Sequence, residues 1–343
     1  MTSDLDGQMY VLDQNAPFIH VFGRDGKFIR VWGRAGGGPG EFRQPMYLGW
    51  HGDTLVVVDP PLMRISLFNK AGHLVRTIPI RPQLQLSSRS GFPVTLLAAG
   101  TVLVASSTEE QPGTANAVFQ ESLLAADPAN RTTKIIAMFE RHNFALRVAV
   151  RVNGEPGMMN AVQPFSNDPL WRVDRNGTAV VWVERPQMTR EPTFTVTRVT
   201  QSGDTVFSRR IAYIPKLLDD PTLDGAVRQV GDLPLPSSVK MVIDNDALRK
   251  EIYRPKYLPP VSGITAASDG TTWIRLEQEA RSDQVIYLVL RPDGSTLGEF
   301  SSRKTEQVVE ARVARIWTRN ITFDDGAYVH LYLASKRHGQ RLE

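Results

Sequence analysis

The sequence predicts an all-β fold, a β-propeller of six blades. Three observations predict it: an internal repeat, a recurring second-strand motif, and turn dipeptides between strand-like runs. Residues 7–30, GQMYVLDQNAPFIHVFGRDGKFIR, align with 53–76, DTLVVVDPPLMRISLFNKAGHLVR, at a constant offset of 46. Val11/Val57, Asp13/Asp59, Ile19/Ile65, Phe22/Phe68, Gly26/Gly72 and Arg30/Arg76 are identical, and Met9/Leu55, Val21/Leu67 and Phe28/Leu74 stay apolar. Self-similarity at this period marks a propeller, each repeat folding as one four-stranded sheet.

The second strand recurs as GTVLVASS from Gly100, GTAVVWVE from Gly177, GTTWIRLE from Gly270 and, divergently, ARIWTRN at 314–320. With the first two repeats these make six second strands, hence six blades. Asn176-Gly177, Ser202-Gly203, Asp269-Gly270 and Asp293-Gly294 each lie between strand-like runs and supply the turns.

Successive copies are near 46 residues apart for the first two steps, then 77, 93 and about 44. The excess predicts two insertions in a single domain over 1–343, at 141–168 and 216–260. A step of 93 is almost two repeats, so seven blades is the alternative count. The second insertion, however, holds no Gly-Thr strand or Asp-Gly hairpin. It contains VKMVIDNDALRKEI, whose Val239, Val242, Ile243, Leu248 and Ile252 suit one face of a helix. Both insertions precede an inner strand, so both are expected on one face of the ring, roofing a pocket.

Composition narrows the class. The hydrophobic fraction of 41% supports a packed core. There are 40 basic and 36 acidic residues, with no basic block, and this argues against a nucleic-acid partner. The absence of cysteine removes disulfides, thiolate metal sites and cysteine nucleophiles. No apolar run is long enough to span a bilayer as a helix. An export segment upstream of Met1 is expected, and Leu342-Glu343 reads as a cloning remnant.

The stretch AGGGPGEFRQPMY, residues 35–47, lies between the strand runs KFIRVWG and MYLGW. A phosphate cradle needs a helix N-terminus after it, and here a strand follows. It is therefore expected to be a crossover from one blade to the next, with glycine permitting tight paths and Pro45 opening the strand.

VWGRAGGGPGEFRQPMYL, followed by DTLVVVDPPLMRISLFNKAGHLVRTI, resembles the NHL repeat: a Gly-rich connector ending in Gly-x-Phe-x-x-Pro, then Val-x-Asp, Arg-Ile and a Phe-x-x-x-Gly turn. The match covers roughly residues 5–80, and blade one departs from it with Phe18 where the second repeat has Arg64. The resemblance implies a six-bladed propeller of the bacterial, usually exported kind, hence a periplasmic or secreted protein. It implies no activity, because such propellers include binding modules as well as enzymes.

The candidate site residues are those expected at the mouth under the insertions. Asp13, Asp59, Glu184 and Glu277 end equivalent second strands, with Arg319 in the sixth copy. Such carboxylates could hold a divalent cation, with Asp13 and Asp59 as ligands, or supply a general base, for which Glu184 and Glu277 are the candidates. The plain alternative is that each accepts backbone N–H groups in the turn that follows. His142 is a further catalytic candidate in the expected roof. Arg64, Arg147, Arg151, Arg190, Arg281 and Arg319 could clamp an anionic substrate, and Trp171 could stack on one. Arg147 and Arg151 are four apart and would share a helical face.

Two functions follow. Acids below, arginines above and a lid between favour a hydrolase of an ester, lactone or phosphoester. Propellers of similar shape catalyse such reactions around a channel-centred calcium, although their ligand pattern is not matched here residue by residue. The alternative is a non-catalytic, NHL-like binding module for a peptide, glycan or protein. A closed ring needs no partner to cover a sheet edge, so a monomer is expected.

Overall fold

The computed structural model describes every residue except 5, 14–15, 17, 81–89, 108–117, 128, 131, 143–145, 187–189, 232–240, 278–281, 313–314, 321–328 and 334–343. Blade one comprises β1 (Thr2–Ser3), β2 (Met9–Asp13), β3 (Phe18–Phe22) and β4 (Phe28–Trp32). Blade two comprises β5 (Tyr47–His51), β6 (Thr54–Asp59), β7 (Arg64–Phe68) and β8 (Leu74–Pro79). Strand ends thus recur at the sequence offset: Asp13 with Asp59, Phe22 with Phe68, and Phe28 with Leu74. Blade three is β9 (Ser90–Leu96), β10 (Val102–Ser107), β11 (Val118–Asp127) and β12 (Thr132–His142).

β13 (Leu146–Val152) and β14 (Glu155–Ala161) follow in the first insertion. Blade four is β15 (Leu170–Val173), β16 (Ala179–Glu184), β17 (Thr193–Thr200) and β18 (Thr205–Ala212). The second insertion supplies α1 (Asp220–Gly231), β19 (Met241–Ile243) and α2 (Asn245–Glu251). Blade five is β20 (Val261–Ala266), β21 (Thr272–Leu276), β22 (Gln284–Leu290) and β23 (Thr296–Arg303). Blade six has β24 (Glu306–Arg312), β25 (Arg315–Asn320) and β26 (Val329–Leu333) among the described residues.

Every blade is an antiparallel meander in sequence order. First strands of neighbouring blades approach one another: β15 lies against β20, β20 against β24, and β1 against both β5 and β24. The last contact closes the ring between blades six and one. In blades one, two, four and five the third and fourth strands slip register at the same place, at Val21/Phe22, Leu67/Phe68, Arg198/Val199 and Val289/Leu290. A bulge there adds twist beside the hairpin turn, as radial sheets require.

Between blades the sheets are glued by apolar clusters. Blades one and two share Tyr10, Trp32, Phe42, Trp50 and Phe68, with Tyr10 edge-on to Trp50 at 5.0 Å. Phe42 is the aromatic of the Gly-rich crossover, and it explains Gly33. That glycine has φ +84°, and a Cβ on it would meet the Phe42 ring at 2.4 Å. The crossover is held by side chains from blade two. Asp59 accepts the Arg43 and Gln44 amides at 2.7 and 3.3 Å, and Arg64 donates to the Gly37, Gly38 and Glu41 carbonyls. Glu41 takes the Gly38 amide at 2.7 Å. This is a connector whose polar groups are committed internally.

The seventh sheet is not a blade. It joins the two insertions: β13 pairs with β14 and, through Val150↔Ile243, Arg151↔Val242 and Val152↔Met241, with β19. Helices α1 and α2 pack on it, and Leu146, Val148 and Val150 share a core with Leu223, Val227, Leu248 and Ile252. Two segments some 90 residues apart therefore make one small subdomain. The helix expected through Val239–Ile252 is shorter. Val242 and Ile243 belong to a strand, and α2 starts only after Asp244, whose carboxylate caps the Asp246 and Ala247 amides. Val239 lies outside the described residues. The α1 helix was not foreseen, and the expected helical pairing of Arg147 with Arg151 is corrected: both lie on β13, where alternation puts them on one strand face.

Candidate functional site

In an antiparallel meander the fourth-to-first crossover and the second-to-third loop fall at the same end. Both insertions replace such crossovers, between β12 and β15 and between β18 and β20. Their end of the ring is therefore also the end at which β2, β6, β16 and β21 finish.

The expected residues are distributed as follows. Asp13 accepts the Ala16 amide at 3.2 Å and lies 3.7 Å from His20 Nε2; Asp59 is buried on the crossover amides. Among the described residues no group of three or more His, Asp or Glu could hold a metal ion. Glu184 is exposed, with Oε1 accepting from Trp182 Nε1 at 3.1 Å. Arg64 serves the crossover. Arg147 and Arg151 stand exposed on the insertion sheet, and Arg190 is exposed in the loop before β17. His142 ends β12 rather than lying in the roof, and Arg319 lies in β25; the side chains of both, and all of Arg281, are outside the described residues.

Two predicted residues do enter clusters. Trp171, on β15, donates Nε1 to Glu121 Oε2 at 3.3 Å, and Arg141 Nη1 meets the same oxygen at 2.8 Å. Arg141 Nε is also 3.8 Å from Asp168 Oδ2. Arg185, directly after β16, donates to the Asp168 carbonyl and to Val261 O at 2.7 Å, fastening blade four to the start of blade five. Burial pushes its pKa down to about 10, against the opposing pull of Asp168 and Glu277. Sequence reasoning missed Glu121, Asp168 and Arg185. The one signal was an arginine placed where an apolar strand ends.

Glu277 lies in the wall of a half-open cleft of about 380 Å³ between blades four and five. Phe194, Ile211 and Tyr213 line it from blade four and the segment after it, and Leu276, Ile286 and Leu288 from blade five. Pro259 and Pro260 come from the root of the second insertion, and Lys216, Glu277 and Glu299 are the charged residues of the lining. Lys216 Nζ donates to Glu277 O at 3.0 Å, and Glu277 N donates to Pro260 O at 3.0 Å, so the insertion root is tied to the end of β21. An apolar cavity of this size with a few converging polar groups is suited to holding a small molecule.

The opposite end of the channel is polar. The turn Asp174–Thr178 of blade four carries Arg175, which donates Nη1 to Leu48 O at 3.3 Å and Nη2 to Val309 O at 3.4 Å. These acceptors belong to the first strands of blades two and six. Blades two, four and six are alternate members of the ring, so a group touching all three lies at its axis. Glu310, fully buried on β24, accepts at Oε1 from Ser268 N and Oγ at 3.1 and 2.8 Å. Burial raises its pKa, and Arg175 only partly offsets this.

No curated protein matches the sequence. A family model, DUF5128, described as a 6-bladed beta-propeller, matches residues 2–79. Among solved structures, a member of the DUF4221 family from Bacteroides vulgatus is similar over 96% of this chain and 90% of its own, with 9% identity and a TM-score of 0.47. Virginiamycin B lyase from Staphylococcus aureus is similar over 96% and 93%, with 11% identity and a TM-score of 0.41. A putative exported protein from Bacteroides fragilis is similar over 92% and 77%, with 11% identity and a TM-score of 0.40. With its own strand order closing between blades six and one, the chain is a six-bladed β-propeller.

Proposed function

We propose that this propeller binds a small, largely apolar molecule in the cleft between blades four and five, with the root of the second insertion forming part of its wall. The observation that carries the reading is the cleft itself: apolar side chains of two blades facing each other across about 380 Å³, with Lys216, Glu277 and Glu299 as its charged residues. A ligand with an apolar body and one hydrogen-bonding end fits that chemistry. The carboxylate–guanidinium contacts at this end, Glu121 with Arg141 inside blade three and Arg141 with Asp168 of the crossover after it, are engaged within the protein and leave the cleft as the open feature. The test is a titration with Nile red, a neutral apolar dye, in the wild type and in Leu288→Trp, which fills the cleft. Saturable fluorescence in the wild type, lost in the variant, supports the reading.

A second reading rests on one observation: Glu277, a carboxylate singled out by its strand-end position, is in the cleft wall. It makes the protein a hydrolase of an ester, lactone or phosphoester, with Glu277 as general base. A panel of chromogenic substrates, with and without chelator, tests it. Hydrolysis abolished by Glu277→Gln supports catalysis, and silence across the panel leaves binding alone.

We further propose that the protein acts outside the cytoplasm, on the strength of the resemblance of residues 5–80 to the repeats of exported propellers. No described helix is long and apolar enough to cross a membrane. A monomer is proposed because the ring closes on itself.

A further inference from the structure

The cleft between blades four and five carries a sign as well as a shape. Its lining holds two carboxylates, Glu277 and Glu299, against one ammonium, Lys216. Lys216 Nζ is drawn to the wall, where it donates to the Glu277 carbonyl at 3.0 Å, and the charge of Glu277 is felt by the buried Arg185. Glu299 differs. It sits on β23 directly opposite Leu288 of β22, so the two side chains share the face of blade five that looks into the cleft. Among the described residues its carboxylate makes neither an ion pair nor a hydrogen bond. On the facing wall the rings of Phe194 and Tyr213 lie 6.2 Å apart, and Tyr213 is part-exposed. A ligand seated between apolar walls brings its charged end to Glu299 with less intervening water than on open surface, so the attraction is screened less.

We propose that the ligand of this cleft is an amphiphilic amine, its apolar chain or ring lying between the two blades and its protonated primary amino group paired with Glu299. The proposal rests on the reading of the cleft as a binding site and fixes the sign of the ligand's polar end. An ammonium donates charge-assisted hydrogen bonds to a carboxylate, and aromatic faces such as that of Tyr213 attract cations as well. An amphiphilic anion meets the reverse: Glu299 repels it, and Lys216 is already engaged with the Glu277 carbonyl.

Displacement of Nile red by octylamine, octanol and octanoate tests it, since the three share one chain length and differ in charge at neutral pH. Octylamine should bind about 3–10-fold more tightly than octanol, and octanoate more weakly than both. The amine's advantage should shrink as salt is raised, a readout on the unaltered protein. Glu299 is exposed, so its substitution should not disturb folding. Glu299→Gln should bring octylamine to parity with octanol, and Glu299→Lys should place octanoate ahead of octylamine. Octanol displacing the dye with no amine preference, or an amine preference kept in either variant, overturns the proposal and leaves the cleft as a binding site. Dye that none of the three displaces overturns the proposal and the reading of the cleft together.

Discussion

Arg175 Nε lies 3.8 Å from Glu310 Oε2, a contact between blade four and blade six made across the axis of the ring. The carboxylate is fully buried and its Oε2 makes no hydrogen bond, so this guanidinium is its counter-charge. Where Glu310 is ionised, removing Arg175 leaves a buried charge uncompensated. Arg175→Ala is expected to cost about 3–5 kcal/mol of unfolding free energy, read from the urea midpoint, and Glu310→Gln appreciably less. Equal, small effects would mean that the pair does not hold the axis together.

The same carboxylate predicts a pH effect. Because burial raises its pKa, the native protein keeps the Glu310 proton over a window in which the unfolded chain has lost it. Stability from this group is therefore full below the ordinary carboxylate range and is lost as pH rises through the raised pKa. Glu310→Gln cannot ionise. The wild type should lose stability relative to the variant as pH rises, as urea melts across the acid-to-neutral range would record.

His51 works in the opposite sense. Neither ring nitrogen has a hydrogen-bond partner, and desolvation pushes its pKa down to about 4. An unfolded histidine takes up its proton near 6.5, so stability is lost as pH falls from about 6.5 to about 4, by about 3 kcal/mol in full. His51→Leu should remove that slope. Parallel profiles for wild type and variant would rule out the assignment.

Gly177 explains why that histidine is tightly enclosed. Its φ is +67°, and a Cβ there would meet His51 Cε1 at 2.5 Å and Leu96 O at 2.8 Å. Gly177→Ala is expected to destabilise by about 2 kcal/mol or more, from backbone strain and overpacking together. Calorimetry would show this as a lowered Tm.

Arg64 gives a test of the crossover. Its guanidinium spans three carbonyls, Gly37, Gly38 and Glu41, which a lysine cannot match in geometry. Arg64→Lys should lose about 1–2 kcal/mol and expose residues 35–42 to limited proteolysis without altering binding in the cleft.

How far the sequence revealed all this depends on distance along the chain. The 46-residue offset reproduced strand ends in blades one and two because each repeat is a local hairpin series whose turns and alternation are written contiguously. The pairing of Val150 with Ile243 was hidden, since neither strand carries a partner's address and β19 has only three residues. Apolar spacing around Val242 read as helix for the same reason. Arg175 was concealed beside Asn176-Gly177, in a turn whose chemistry already accounts for the residues. Glu121, Asp168 and Arg185 meet from blades three and four and the crossover between them, and only closure of the ring brings them together. Glu277 alone passed from strand-end pattern to cleft wall, because its position follows from the repeat.

The cleft between blades four and five is the centre of the functional account, and xenon reports on it without assuming a ligand. Xenon enters apolar cavities lined by aliphatic and aromatic side chains. Diffraction from a xenon-pressurised crystal should place an anomalous peak among Phe194, Ile211 and Leu288. A vacant or collapsed cleft, with xenon bound elsewhere in the same crystal, would contradict the account.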